Sequence, residues 1–411
     1  MTSYDYVIAG GGTAGCVLAA RLSEDPAVTV CLIEAGPSDV DDPNILVLKE
    51  WMHLLDSGYD WDYPVEPQER GNSFMRHARA KVLGGCSSHN SCIAFWPLAQ
   101  GLRDWEAAGA TGWGPDDVLP YVSRVENNVA DGDYQAIRTV TTDRSDCAMS
   151  RRSIRAARLS STPPRRSVYP PCSSIATSGI STAPDGFRST RTKPASACRP
   201  HTPTCIPFSH RPNLTVLTDS WISEILIDDS LRATGVRFQR PDLTGYDEVT
   251  ADREVIVTAG AIDTPKLLML SGIGPAEHLR EMGVTVRVDS PGVGENLDDH
   301  VEGLVFWEAS RPMVTDSTQW WEIGLFTTTQ EGLDHSDLMM HYGSVPFDMN
   351  TLRWGYPTTE NGFCLTPNVT QADHAGPFVC GHGISGTGPR STRVTSPIPT
   401  ATTSASCSPA S

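Results

Sequence analysis

The chain has 411 residues, enough for two domains or one large enzyme fold with a sizeable core. Its formal charge of −17 argues against nucleic acid and anionic membrane as main partners. No apolar run approaches the roughly 20 residues that a membrane helix needs. Eleven cysteines, an odd number, are scattered without metal-ligand spacing, so no metal centre is read from them. The first strand starts within a few residues of Met1, which predicts a cytoplasmic protein without a disulfide framework.

Tyr6-Val7-Ile8-Ala9 reads as a short buried strand. It runs into Gly10-Gly11-Gly12-Thr13-Ala14-Gly15, a G-x-G-x-x-G match that would be weak alone. A helix over Cys16 to Leu22 follows, then a strand over Val28 to Ile33 ending in Glu34. Strand, glycine turn, helix, strand and acid together predict dinucleotide binding. The helix N-terminus faces the pyrophosphate, and the acid accepts hydrogen bonds from a ribose. Cys16, Cys31 and Cys364 sit in apolar surroundings and read as small core residues.

The stretch from Ala80 to Cys92 gathers Gly84, Gly85, Ser87, Ser88, His89, Asn90 and Ser91 into one loop. Paired glycines let backbone approach a flat ligand, and the polar side chains supply contacts or a covalent handle. In isolation the loop would be an ordinary tight turn.

Residues 138–207 differ from what surrounds them. They are rich in Arg, Ser, Thr and Pro, contain no Glu and three Asp, and show no useful periodicity. The tail from about residue 371 to Ser411 is similar. Both could be disordered linkers. A shifted frame reads better. Residues 199–207 are compatible with DNA whose neighbouring frame spells S-A-H-A-Y-L-H-P, running straight into Phe208 to Leu217. Residues 375–394 permit G-A-V-R-L-R-S-R-D-F-R-D followed by V-D-P-R-Y-F. We read the two segments as frame-shifted.

Leu214 to Leu217 reads as a strand, and Glu254 to Gly260 as a buried strand entering a glycine turn. Ala261-Ile262-Asp263-Thr264-Pro265 opens a helix with Pro265 in its first turn, and Ser271 to Pro275 ends it. The loop Pro291 to His300 carries glycines and Asn296 that would allow close approach to a ligand.

Three of these blocks, Gly10–Gly15, Ala80–Asn90 and Gly260–Gly274, together resemble the glucose–methanol–choline family of flavoenzymes. Cys86 and His89 stand where most members carry Ser and an aliphatic residue. With Trp51-Met52, Tyr59 to Pro64 and Met339 to Asp348, they resemble the choline-oxidising branch. The resemblance covers nearly all of 1–135 and 208–370.

The family implies an α/β, Rossmann-like FAD-binding domain that is discontinuous, plus a smaller antiparallel-sheet α+β substrate domain, both incomplete here. The expected division is 1–137 and 208–300 for the flavin, 301–370 for part of the substrate domain, and 138–207 and 371–411 anomalous. The resemblance implies FAD joined covalently to His89. Gly10, Gly12, Thr13, Ala14, Gly15, Glu34, Trp61, Gly84, Gly85, Ser87, Asn90 and Ser223 would line or support the cofactor. Ser91 would lie near the reactive edge. Trp51 and Trp321 would wall a quaternary ammonium, Glu302 would face it, and Phe347 and His341 would sit beside the alcohol. The adjacent Trp320 and Trp321 should not both point one way. The implied reaction is oxidation of a primary alcohol, choline to betaine aldehyde and on to betaine, with oxygen as acceptor. A homodimer is the candidate assembly. The family's C-terminal catalytic histidine has no match here, and His374 and His382 match nothing, so impaired turnover, or a flavin-binding remnant, is expected. A nicotinamide-linked dehydrogenase is disfavoured by the His89 loop and the Gly260 block. Nucleic-acid binding through the basic segment is disfavoured by the acidic remainder.

Overall fold

The computed structural model describes residues 2–40, 42–65, 76–91, 93–94, 97–125, 188–189, 210–239, 242, 244–297, 299–300, 302–313, 320–321, 323–329, 336–347, 349–353, 355–369, 379–380 and 393–394. Nearly all of the two anomalous segments, with His374 and His382, lies outside the described residues. The frame-shift reading therefore concerns chain that the structure does not describe.

The larger sheet has six strands drawn from two distant stretches of chain. In sequence they are β1 (Thr2–Ala9), β2 (Val30–Ile33), β3 (Leu214–Leu217), β4 (Trp221–Ile227), β5 (Ala233–Gln239) and β6 (Tyr246–Val257), and their spatial order is β3-β2-β1-β6-β5-β4. The four strands from β3 to β6 in that order pair in parallel, and β5 and β4 continue antiparallel. This is the expected α/β arrangement, a parallel sheet with an antiparallel extension. β1 is apolar along its second half because both faces are covered there. Val7 and Ala9 join Cys31 and Ile33 on one side, and Ile8 joins Leu32 and Val30 on the other. Helix α1 (Thr13–Leu22) lies on the second side, with Cys16 and Ala19 fully buried against it. Each large aliphatic side chain buried this way contributes about 1.5–3 kcal/mol.

Boundaries differ modestly from those predicted. β1 begins at Thr2, α1 at Thr13 directly after the glycine turn, and β2 at Val30. One expectation is corrected. The later helix α4 spans Gly260–Leu270, so Pro265 lies inside it rather than in its first turn. Gly260, at φ +84°, turns the chain into the helix five residues ahead of the proline. The proline's missing N–H costs one helical hydrogen bond. Between the two halves of the large sheet come α2 (Ala99–Ala107) and α3 (Pro115–Val125).

A second, fully antiparallel sheet has four strands, β7 (Val305–Glu308), β8 (Ile323–Thr327), β9 (Leu338–Gly343) and β10 (Gly362–Val369), in the order β7-β10-β9-β8. A short helix, α5 (Met349–Arg353), links β9 to β10. Along β10 burial alternates strictly, with Gly362, Cys364, Thr366 and Asn368 inward. No described helix is long and apolar enough to cross a membrane.

Candidate active site

The turn after β1 is shaped by what a side chain would strike. A Cβ on Gly10, at φ +112°, would lie 2.6 Å from the Thr258 carbonyl oxygen, and one on Gly15 would lie 2.0 Å from the Gly10 carbonyl oxygen. These two glycines let β1, α1 and the end of β6 close together. Gly12 is different: its Cβ would meet nothing nearer than 3.8 Å, and its open side faces a cavity. Gly12 caps α1 with no side-chain hydrogen bond, so no side chain covers the helix N-terminus.

Glu34 ends β2 and is 7% exposed. Its two carboxylate oxygens accept from the Gly11 N–H at 2.8 Å and the Gly36 N–H at 2.9 Å. Burial nevertheless pushes its pKa up to about 7, and the nearby Asp263 charge adds to the rise.

The glycine turn also locks onto the histidine-bearing loop. The Gly84 N–H donates to the Gly11 carbonyl at 2.7 Å, and Gly12 and Gly84 form a β-bridge. Ser87 and Thr13 hydroxyls both donate to the Gly84 carbonyl, at 2.7 and 3.3 Å. His89 follows this tight turn and is 5% exposed, whereas Asn90 is exposed and Ser91 half-buried.

A cavity of about 500 Å³ runs through this region. Of the residues read from sequence, Gly10, Gly12, Thr13, Ala14, Glu34, Trp61 and Gly85 line it. Gly15, Gly84, Ser87, His89 and Asn90 are not among its lining residues. Ser223 is not in its wall either. A bulge between Ile222 and Glu224 leaves the Ser223 hydroxyl donating to the Arg237 carbonyl at 3.2 Å, and Ser220, Trp221 and Ile222 form the wall instead. The loop 291–300 contributes no lining residue; its Leu297 packs with Tyr63 and Ile262.

Sequence reasoning missed the polar end of this cavity. Lys266 in α4 is buried, pairs with Asp263 at 2.9 Å, and stands 5.5 Å from the Trp61 ring and 5.6 Å from the Trp221 ring. The Tyr63 hydroxyl donates to the other Asp263 oxygen. The signal was present: an acid and a lysine three apart on a helix otherwise read as apolar core.

Most of the residues expected on the substrate side gather against the second sheet. Trp51, Trp320, Trp321 and Cys364 form one buried cluster, with Phe347, Met52 and Ile93 packed on it. Ring centroids are 6.0 Å apart for Trp51–Phe347, 5.7 Å for Trp321–Phe347 and 6.0 Å for Trp321–His341. The expectation that Trp320 and Trp321 diverge is corrected. Trp320 lies in a bend ahead of β8 and takes a left-handed φ of +75°, so neither strand nor helix geometry governs the pair, and both rings are buried in the same cluster. The Trp320 carbonyl holds this bend by accepting from the Ser344 N–H at 2.9 Å.

His341 lies directly opposite Thr366 in the register of β9 and β10. Burial, with the neighbouring His300 charge, drives the His341 pKa down to about 4, so the ring is neutral near pH 7. Glu302 forms a bridge with Asn368. Though Glu302 is exposed as a residue, its carboxylate sits against Asn368 and Thr366, and the desolvation raises its pKa. Thr366 and Asn368 were not read from sequence, although buried polar residues alternating along a strand are a recognisable sign.

Comparison with known proteins decides the family. The GMC oxidoreductase family model matches residues 4–302. The chain is a GMC oxidoreductase. It is 51% identical to a choline oxidase of Arthrobacter globiformis over 388 residues, covering 91% of this chain and 68% of that protein. It is 31% identical to the mitochondrial choline dehydrogenase of Homo sapiens over 383 residues, covering 82% of this chain and 61% of that one. Among solved structures, a pyridoxine 4-oxidase superposes with a TM-score of 0.76 at 26% identity, covering 95% of this chain and 75% of that one. A formate oxidase shares the fold, with a TM-score of 0.75 at 21% identity, covering 96% and 77%. GMC oxidoreductases are FAD-binding flavoproteins, and this cleft fits a dinucleotide. It offers side-chain-free glycines, a helix N-terminus without a side-chain cap, and a buried carboxylate at the end of β2.

Proposed function

We propose that this GMC oxidoreductase oxidises a primary alcohol that carries a quaternary ammonium, choline first among them, with oxygen as final acceptor. The observation that carries the reading is the aromatic cluster of Trp51, Trp321 and Phe347 beside His341, on the sheet whose edge bears Glu302. A quaternary ammonium donates no hydrogen bond, so aromatic faces and a carboxylate are what can hold it. Trp51 and Trp321 would enclose the cation, Glu302 would supply the counter-charge, and Phe347 would exclude water from the carbinol end. His341, uncharged near neutral pH, would hydrogen-bond the alcohol oxygen without repelling the cation, and Ser91 would assist on the loop side.

Gly10, Gly12, Thr13, Ala14, Glu34, Trp61 and Gly85 would hold FAD, and His89 would join it covalently. Bound FAD supplies the two-electron acceptor for the C–H bond.

The test is anaerobic mixing of the FAD-loaded chain with choline and with its uncharged isostere, in which a tert-butyl group replaces the trimethylammonium. Bleaching of the flavin by choline at concentrations where the isostere is silent, and peroxide release on admitting air, are expected. Glu302→Gln and Trp51→Ala should each weaken choline binding about tenfold or more. Equal response to both alcohols overturns the cation assignment. Flavin uptake with no bleaching by either alcohol leaves the chain a flavin-binding remnant.

A further inference from the structure

Asp60 and His89 meet beside residues that line the cavity, although neither is itself in the lining. Neither is accounted for by the alcohol chemistry above. The Asp60 side chain is 1% exposed and that of His89 6%, and Asp60 Oδ2 stands 3.7 Å from His89 Nε2. His89 Nε2 is fully buried and, at that distance, makes no hydrogen bond within 3.5 Å among the described residues. Asp60 is held from behind by backbone. Its Oδ1 accepts from the Asp62 N–H at 2.9 Å and the Arg79 N–H at 2.8 Å, and its Oδ2 accepts from the Asp56 N–H at 3.0 Å. Asp60 also bridges to Ala80, the first residue of the loop that carries His89. Its chain neighbour Trp61, and Arg79 and Ala80 on the bridged segment, line the cavity.

A carboxylate has about four acceptor sites. Three are taken by backbone N–H groups from two different segments, which fixes the plane of the group. The one remaining lies toward the imidazole. Burying a carboxylate and an imidazole side by side costs free energy unless the two act on each other. A loop histidine serving only as packing would need no such partner.

We propose that Asp60 is the positioning residue for flavin attachment: it holds the His89 imidazole in place and takes up its proton as the bond to the flavin forms. The proposal rests on the reading that His89 is the attachment point. The step balances within the pair. A nitrogen–carbon bond replaces the imidazole N–H and one C–H of the flavin methyl group. The two hydrogens lost, with two electrons, reduce the flavin ring, so no outside oxidant enters the attachment. The N–H proton passes through the Asp60 carboxylate, and oxygen later returns the ring to its oxidised form.

The experiment uses the full chain, produced without flavin and then given FAD. Attachment is followed as flavin that stays with acid-precipitated protein, and total bound flavin is measured in parallel, so each rate is expressed per bound FAD. In the unaltered chain flavin should become resistant to acid; in His89→Ala it should bind and be wholly released. Asp60→Asn should bind FAD yet attach it about 10- to 100-fold more slowly, as when a carboxylate that orients a histidine is lost. Asp60→Glu, which keeps the charge but shifts it by one methylene, should fall between the two and recover part of the rate. Attachment at the unaltered rate in Asp60→Asn overturns the proposal. Should Asp60→Asn take up no FAD, Asp60→Glu decides alone: an unchanged rate there overturns it, and slowed attachment on bound flavin supports it. Complete release of flavin from the unaltered chain removes the His89 reading itself, and the proposal with it.

Discussion

At the scale of single residues, two glycines of one turn have opposite jobs. Gly15 has no room for a methyl group, because its Cβ would lie 2.0 Å from a backbone oxygen that β1 holds in place. Gly12 has room, but the room is the cavity. Gly15→Ala should therefore force α1 off the sheet and lower stability by about 3 kcal/mol or more, with or without FAD. Gly12→Ala should melt near the unaltered chain when free of flavin, yet bind FAD at least about tenfold more weakly, since the backbone can no longer approach the ligand. Thermal melts paired with flavin titrations separate the two outcomes. Equal loss of stability in both variants would contradict the division of labour. A reader of the sequence sees one motif of equivalent glycines; only the positions of Thr258 and the cavity tell them apart.

At the scale of elements, the second sheet turns one face into a chemical surface. β9 and β10 place His341 against Thr366, and the aromatic cluster covers them. The folded-state pKa of His341 is about 4, below its ordinary value of 6.5. The unfolded chain therefore binds more protons between those values. Stability from this residue is complete above pH 6.5 and is lost as pH falls toward 4, by up to about 3 kcal/mol. Urea midpoints measured from pH 7 to pH 4 should fall further for the unaltered chain than for His341→Phe, which cannot titrate. Parallel curves would show that His341 is not held neutral by the fold.

Much of this architecture was legible in the residues. The strand–turn–helix–strand unit up to Glu34 declares itself because each piece obeys its own period and the glycines fall between pieces. The strand ending at Val257 and the helix after it declare themselves for the same reason. What could not be read was whatever tertiary approach creates. Lys266 looked like a helix position like any other until Trp61 and Trp221 arrived from distant segments. Asp60 looked like one of two acids in Tyr59 to Pro64 until Arg79 and His89 closed around it. Trp320 and Trp321 fall outside any strand, and Trp320 takes a left-handed backbone that few non-glycine residues adopt, so alternation could not place their rings.

At the scale of the whole molecule, the described residues centre on two sheets, to which we assign cofactor and substrate respectively, joined by contacts across long stretches of chain. Arg353 of α5 reaches back to Asp56 at 3.0 Å and Asp62 at 3.4 Å, tying the substrate sheet to the segment that holds Asp60. In chain order 138–207 falls between β2 and β3 of the large sheet and the tail follows the second sheet, and the composition of both segments matches neither sheet. Sequencing the gene from the codons of Asn128 through Arg211, and onward from Asn368, should reveal a gained or lost base at both places. A restored frame should spell the two shifted strings. Neighbouring frames lacking those strings would dismiss the idea and leave the segments as they are printed.

The central pairing of the large sheet also sets a timetable. The Thr258 hydroxyl donates to the Gly10 carbonyl across 248 residues of chain, and β1 pairs in parallel with β6 from Thr2 to Ala9, with one register shift between Tyr4 and Tyr6. At about 5–20 residues per second, the ribosome delivers the second of these strands about 10–50 s after the first. Throughout that wait, the apolar half of β1 has one of its two flanking strands still unmade, and its nucleotide turn lacks the wall that Thr258 and Ala259 provide. Such high contact order makes folding slow and leaves a sticky nascent strand to be shielded. Yield in a cell should therefore depend on chaperone capacity during synthesis more than on the stability of the finished fold.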